Sequence, residues 1–267
     1  MRFILTLHID KTTYGNLLPL SYNYEFSSWI YKVLASSDSN YAAWLHNNGF
    51  TIEGKRFKFF VFSQLFFDDA KPLKGTDRLV IYGDQAKLFL SFLPQKSTEE
   101  FIKGIFMDRD FTLGDYKSKI ELKVAGVEAI APPDFSTGIA QFRTLSPVSI
   151  SLKNDEGKIK FIAPDDDNHD YGTSLINNLK EKYRIYNGQS FAGEDDFEFQ
   201  ILSKPRSKLI TIKSGTKEET RVRGFHFDFR LKASPELLHL LYETGAGEKN
   251  SLGFGMVDQL TKSLQYK

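Results

Sequence analysis

The chain has 267 residues, 41% hydrophobic and 26% charged, which suits one large soluble domain or two small ones. A formal net charge of +1 excludes a global basic field, so any nucleic-acid site must be local. With no cysteine, disulfides, thiolate nucleophiles and Cys-ligated zinc are excluded. No apolar run approaches the roughly 20 residues needed to span a bilayer, so a cytoplasmic protein without a membrane partner is expected.

Residues 2–9 alternate, with Phe3, Leu5, Leu7 and Ile9 on one face, and predict a half-buried strand. After Pro19, Ser21 is placed to cap a helix reaching about Ser36, with Tyr22, Phe26, Trp29, Ile30 and Val33 as its apolar stripe. Asp38 caps a second short helix that stops near Asn48-Gly49, where glycine supplies the left-handed C′ position. Residues 58–67 read as a buried strand, and 78–82 with 87–93 as a hairpin around Gly83-Asp84. Ser97 and Glu100 form a capping-box pattern at the head of a helix over 97–107, and a strand over 117–128 follows. This is the βαββαβ order of a ferredoxin-like domain with one extra helix.

Ala131-Pro132-Pro133-Asp134 marks a linker, taken as 131–138. Beyond it the order recurs: strands at 140–152 and 158–163, a helix at 170–186, and strands at 197–202, 207–213 and 220–232. A helix from Pro235 to Thr244 and a strand at 254–258 complete the chain. The predicted class is therefore α+β, with tandem ferredoxin-like domains at 1–130 and 139–267, the second carrying a glycine-rich loop. No sequence repeat relates the halves. The duplication rests on element order alone.

That loop is Gly245-Ala246-Gly247-Glu248-Lys249-Asn250-Ser251-Leu252-Gly253-Phe254-Gly255. Two Gly-x-Gly pairs flank a polar insert with one lysine, which suits an anion-binding concavity of exposed backbone N–H groups. The same spacing suits a plain connection with tight turns, and Gly-Lys-Ser/Thr is missing, so it is not a Walker loop. Residues 203–232 carry nine Lys/Arg against three acids. On the strand 220–232, Phe225, Phe227, Phe229 and Leu231 alternate with His226, Asp228, Arg230 and Lys232, giving one core face and one wet, mostly basic face. Such a surface suits an RNA backbone, although strands often carry solvated lysines.

Pro19-Leu20-Ser21-Tyr22-Asn23-Tyr24 leads into Trp29-Ile30-Tyr31, then Tyr41-Ala42-Ala43-Trp44-Leu45-His46, then Lys58-Phe59-Phe60-Val61-Phe62-Ser63. Phe142-Arg143-Thr144-Leu145-Ser146-Pro147-Val148 opens the second half. In this order, and with the loop at 245–255, these segments resemble the CRISPR-associated endoribonucleases that cut precursor repeat RNA, members of the RAMP superfamily. The resemblance spans nearly the whole chain. It implies metal-independent cleavage in or beside the repeat, with no cofactor. The 2′-hydroxyl attacks the adjacent phosphate and leaves 2′,3′-cyclic phosphate and 5′-hydroxyl ends. It also implies precursor CRISPR RNA as partner, with effector-complex subunits as further candidates.

Three residues match the family's catalytic positions. His46 lies in the last turn of its helix, where the dipole favours a cation, which suits a general acid. Tyr31 lies about 180° round its helix from Tyr22, off the apolar stripe, and would orient or help deprotonate the 2′-hydroxyl. Lys58 would stabilise the pentacoordinate phosphate, with Lys55 and Arg56 as close competitors across the Glu53-Gly54 turn. Gly245, Gly247, Lys249, Gly253 and Gly255, with Arg221, Arg223, Arg230 and Lys232, are the expected RNA contacts. His169, in an acidic loop, reads as a solvated turn rather than a metal ligand. The competing readings are a repeat-binding scaffold without turnover and a small-ligand or protein-interaction domain.

Overall fold

The computed structural model describes residues 1–153, 156–193 and 196–260, so the last seven positions of the predicted second domain lie outside the described residues. Strand β1 (Arg2–Asp10) buries Phe3, Leu5, Leu7 and Ile9, as its alternation requires. Helices α1 (Asn23–Ser37) and α2 (Ser39–Asn47) follow, then β2 (Phe60–Phe62), β3 (Gln85–Phe92), α3 (Gln95–Met107), β4 (Asp110–Gly114) and β5 (Lys119–Ile130). The sheet runs β4-β5-β1-β3-β2 with antiparallel neighbours throughout. Without the edge strand β4, this is the 4-1-3-2 order of a ferredoxin-like βαββαβ sheet. Phe26, Trp29, Ile30 and Val33 of α1 and Phe101 and Ile105 of α3 share one core with the apolar face of β1.

The second half repeats the plan with β6 (Ile139–Thr144), α4 (Tyr171–Asn187), β7 (Glu198–Ile201), β8 (Arg206–Ile212), β9 (Thr220–His226), β10 (Asp228–Lys232), α5 (Pro235–Thr244) and β11 (Val257–Gln259). Its sheet runs β7-β10-β6-β11, again 4-1-3-2 read from the other edge, while β8 and β9 form a separate hairpin. The halves meet through Arg2, which is fully buried. Its guanidinium lies 3.4 Å from the centre of the Tyr242 ring and donates to the carbonyls of Tyr242 and, at 2.7 Å, Val257. Among the described residues no helix is long and apolar enough to cross a membrane.

Several local expectations give way to tertiary contacts. Ser21 does not cap α1, whose N-cap is Tyr22; its hydroxyl instead accepts from the Thr211 amide in the other half. The capping box at Ser97 is also absent, because α3 starts two residues earlier after Pro94. Ser97 bonds the Tyr41 hydroxyl, and Glu100 accepts from Ser37 and Lys103. The predicted hairpin at 78–93 is two strands in different sheets: Arg78–Ile81 pairs with Leu17–Pro19 and Ala70–Pro72, whereas β3 pairs with β1 and β2. The long strand 220–232 breaks at Phe227 into β9 and β10. Asp38 does cap α2, accepting from the Tyr41 amide at 2.9 Å.

Candidate active site

The C-terminus of α2 organises the site. Its last carbonyls lack intrahelical partners and carry partial negative charge, so they attract donors and cations. Lys58 Nζ donates to the carbonyls of Leu45 and, at 2.7 Å, His46, and Arg56 Nη1 donates to that of Asn47 at 2.9 Å. The chain can return there because Gly49 takes φ +61° and a short hairpin (Phe50–Ile52 with Lys55–Phe57) turns it back. Burial pushes the Lys58 ammonium down to about 8, and the neighbouring Arg56 charge adds to the effect.

His46 projects from the same helix end and is exposed. Its Nδ1 lies 3.0 Å from Asn47 Oδ1. The Tyr31 ring meets it edge-on, with centroids 4.9 Å apart and planes at 84°. Tyr31, expected to face away from its helix's core, is half-buried instead and packs edge-on against Phe60 at 5.5 Å. Burial, with Tyr41 adding, pushes its hydroxyl well above the usual tyrosine range. Tyr31 can therefore donate a hydrogen bond at neutral pH but does not hold a negative charge. The three residues matched by the resemblance thus lie together at one helix end.

Lys58 and Lys249 line a common groove of about 380 Å³ between the 55–60 segment and the glycine-rich loop. The hairpin is tied to α4 across this groove by Lys55–Glu181 at 2.6 Å and Arg184–Glu53 at 2.7 Å. Lys55 is thereby committed to a carboxylate, whereas Lys58 holds only backbone oxygens. That difference favours Lys58 over its competitor as the cation free to meet a phosphate.

The loop departs from the expected concavity of free amides. The N–H groups of Gly245, Ala246, Glu248, Leu252, Gly253 and Gly255 all donate to protein carbonyls. Asn23 Nδ2 donates to Leu252 O and Gly253 O, clasping the loop to the first half. The glycines serve this close packing. A Cβ on Gly253 would lie 2.5 Å from Phe62 Cε2, and one on Gly255 would lie 1.9 Å from Ala246 O, both at positive φ. Gly255→Ala is accordingly expected to lower the thermal midpoint. Thermal melting checks this, and an unchanged midpoint would show that the loop is plastic. What faces outward is Lys249, exposed and left-handed at φ +61°, with no ion pair among the described residues.

The basic residues of the second sheet and hairpin stand apart from this groove. Arg230 lies 3.8 Å from Glu198, and Lys232 bonds both Glu198 and Asp196, so the wet face of β10 is largely neutralised by β7 and the residues before it. Arg223 donates to Ser207, and Arg221 is 3.9 Å from Glu219. Pairing across strands decides this, and a one-strand charge pattern cannot show it. Sequence reasoning also missed Lys182, which is buried under the loop. The available signal was its place at an inward position of α4, in register with Leu175 and Leu179.

The fold is two ferredoxin-like halves in tandem. Residues 17–123 match the family model described as CRISPR-associated protein Cas6, N-terminal, and residues 130–259 match CRISPR associated protein Cas6, C-terminal. CRISPR-associated endoribonuclease Cas6 1 of Methanocaldococcus jannaschii is 29% identical over 96% of this chain and 92% of its own length. CRISPR-associated endoribonuclease Cas6 of Pyrococcus furiosus is 29% identical over 96% of this chain and 89% of its own. A solved structure from a Cas6-related gene of Pyrococcus furiosus shares the fold, with a TM-score of 0.81 at 23% identity, over 98% of this chain and 99% of that one. The chain belongs to the Cas6 family.

Proposed function

We propose that this protein is a metal-independent endoribonuclease that cuts precursor CRISPR RNA within or beside the repeat. The observation that carries the reading is the clustering of Tyr31, His46 and Lys58 at one helix end, with Lys58 lining a groove shared with Lys249. The curated relatives bear the name endoribonuclease, which agrees with it.

In this reading Tyr31, kept neutral by burial, orients the 2′-hydroxyl. The 2′-oxygen attacks the adjacent phosphorus as its proton passes to water. Lys58 compensates the charge that builds on the phosphorane. The bond to the 5′-oxygen breaks, and His46 protonates that leaving oxygen. The products are a 2′,3′-cyclic phosphate and a 5′-hydroxyl, and no step routes a proton or charge through a metal. Repeat RNA of the host's own array, incubated with the protein in EDTA, should be cut to cyclic ends. Cutting that appears only with added magnesium would refute the mechanism.

A second reading, repeat binding without turnover, draws on the lack of an anionic base beside these groups among the described residues: Tyr31 is held neutral, and the hydrogen-bonding and ring partners of the His46 imidazole are Asn47 and Tyr31. Tight binding with no cyclic-phosphate product would select it, with effector-complex subunits as the partners it would serve.

A further inference from the structure

Lys182 is the least expected group in the molecule. It stands on the inward face of α4, in line with Leu175 and Leu179, and is only 1% exposed. Its Nζ donates to Gly245 O at 2.7 Å. Among the described residues no carboxylate comes within ion-pair distance of it. The acid that acts on it electrostatically is Glu248, whose two oxygens are already taken by the Ser151 amide and hydroxyl. Burial pushes the Lys182 ammonium down to about 7, against a smaller upward pull from Glu248. An enclosed ammonium without a counter-ion is unfavourable, and a bound anion would supply the missing charge.

The groove above Lys182 has that bias. Five cations border it, Lys55, Arg56, Lys58, Lys182 and Lys249, against the two acids Glu181 and Glu248. Both acids are engaged, one by Lys55 and the other by Ser151. One helical turn before Lys182, Asn178 also lines the groove, and among the described residues its enclosed Oδ1 has no hydrogen-bond partner. The amide is therefore uncommitted and can turn its Nδ2 donors towards an acceptor. The cavity, about 380 Å³, lies within the size range of ligand clefts, roughly 300–1,000 Å³.

We propose that Asn178 and Lys182 form the floor of a second phosphate subsite, which holds an RNA backbone phosphate next to the scissile one. Asn178 supplies a hydrogen bond, Lys249 a mobile charge and Lys182 a buried amine that a bound phosphate would hold protonated and that also anchors the Gly245 carbonyl. This rests on the RNA-processing reading above and extends it to the wall of the groove contributed by α4. Lys182 acts through the field and the loop rather than by touching the reacting atoms, so it is a positioning residue.

The test is the salt dependence of binding to host repeat RNA made uncleavable by a 2′-deoxy nucleotide at the cut position. Lys182→Met is expected to weaken binding about ten- to a hundredfold. It should also lower the slope of log K against log salt by about one, the signature of one lost phosphate charge contact. A merely structural lysine would change the thermal midpoint and affinity but leave the slope as it is, which overturns the proposal. Asn178→Ala guards against misfolding: among the described residues its Oδ1 has no hydrogen-bond partner, so the midpoint should hold while affinity falls about tenfold. Unchanged affinity there also overturns it. Wild-type cutting of the intact repeat in EDTA gauges the parent reading separately. If the wild type neither binds nor cuts, both readings fall; if it cuts and the variants behave like it, only the subsite does.

Discussion

Replacing His46 by alanine is expected to slow single-turnover cleavage of repeat RNA roughly 10²–10⁴-fold, the range for loss of a general acid or base. Binding should change little. His46 is exposed at the end of α2, where its ring meets Asn47 and the edge of Tyr31, so its removal opens no cavity in the core. The same variant should melt within a degree or two of the wild type, since surface substitutions usually shift stability by less than about 0.5 kcal/mol. Undiminished cutting would move the acid elsewhere. His226 is a poor substitute, because burial and the charges of Lys208 and Arg206 hold it down to about 4 and so neutral at physiological pH.

Lys58→Met is expected to cost roughly 10²–10³-fold in rate, as for a lost donor to an oxyanion. Methionine keeps the aliphatic stem, so packing against Gly49 survives while the charge does not. The wild type adds a pH signature. The ammonium is present below about 8 and is lost as pH rises through it, so kcat/KM should fall on the alkaline side. In Lys58→Met the part of that fall set by the Lys58 amine should vanish. A rate close to that of the wild type would instead pass the role to Arg56, which sits on the same helix end, or to Lys55, which would first have to leave Glu181.

Much of the fold is legible in the sequence because period and order are local properties. Alternation in 2–9, the Asp38 cap and the recurrence of strand-helix-strand-strand-helix-strand lead directly to two 4-1-3-2 sheets. What is not legible is where a polar group spends its hydrogen bonds. Ser21, Ser97 and Glu100 have the right spacing for caps, yet each is used by a partner far along the chain. The amides of the glycine-rich loop likewise go to Ser149, Pro147 and the loop itself. The proximity of Tyr31, His46 and Lys58 was accessible through family resemblance, since nothing in their spacing alone brings residues 31, 46 and 58 together. Lys182 needed the structure. A lysine in an apolar register is a signal, but only the packed loop above it shows what the charge faces.

The most direct test of the central claim uses a repeat RNA in which sulfur replaces the bridging 5′-oxygen at the cut position. A thiolate leaves without help from an acid, because thiols ionise near pH 8.5. Should His46 protonate the leaving group, His46→Ala will cut the sulfur substrate at close to the wild-type rate while remaining slow on the oxygen substrate. An equal defect on both substrates would contradict that role.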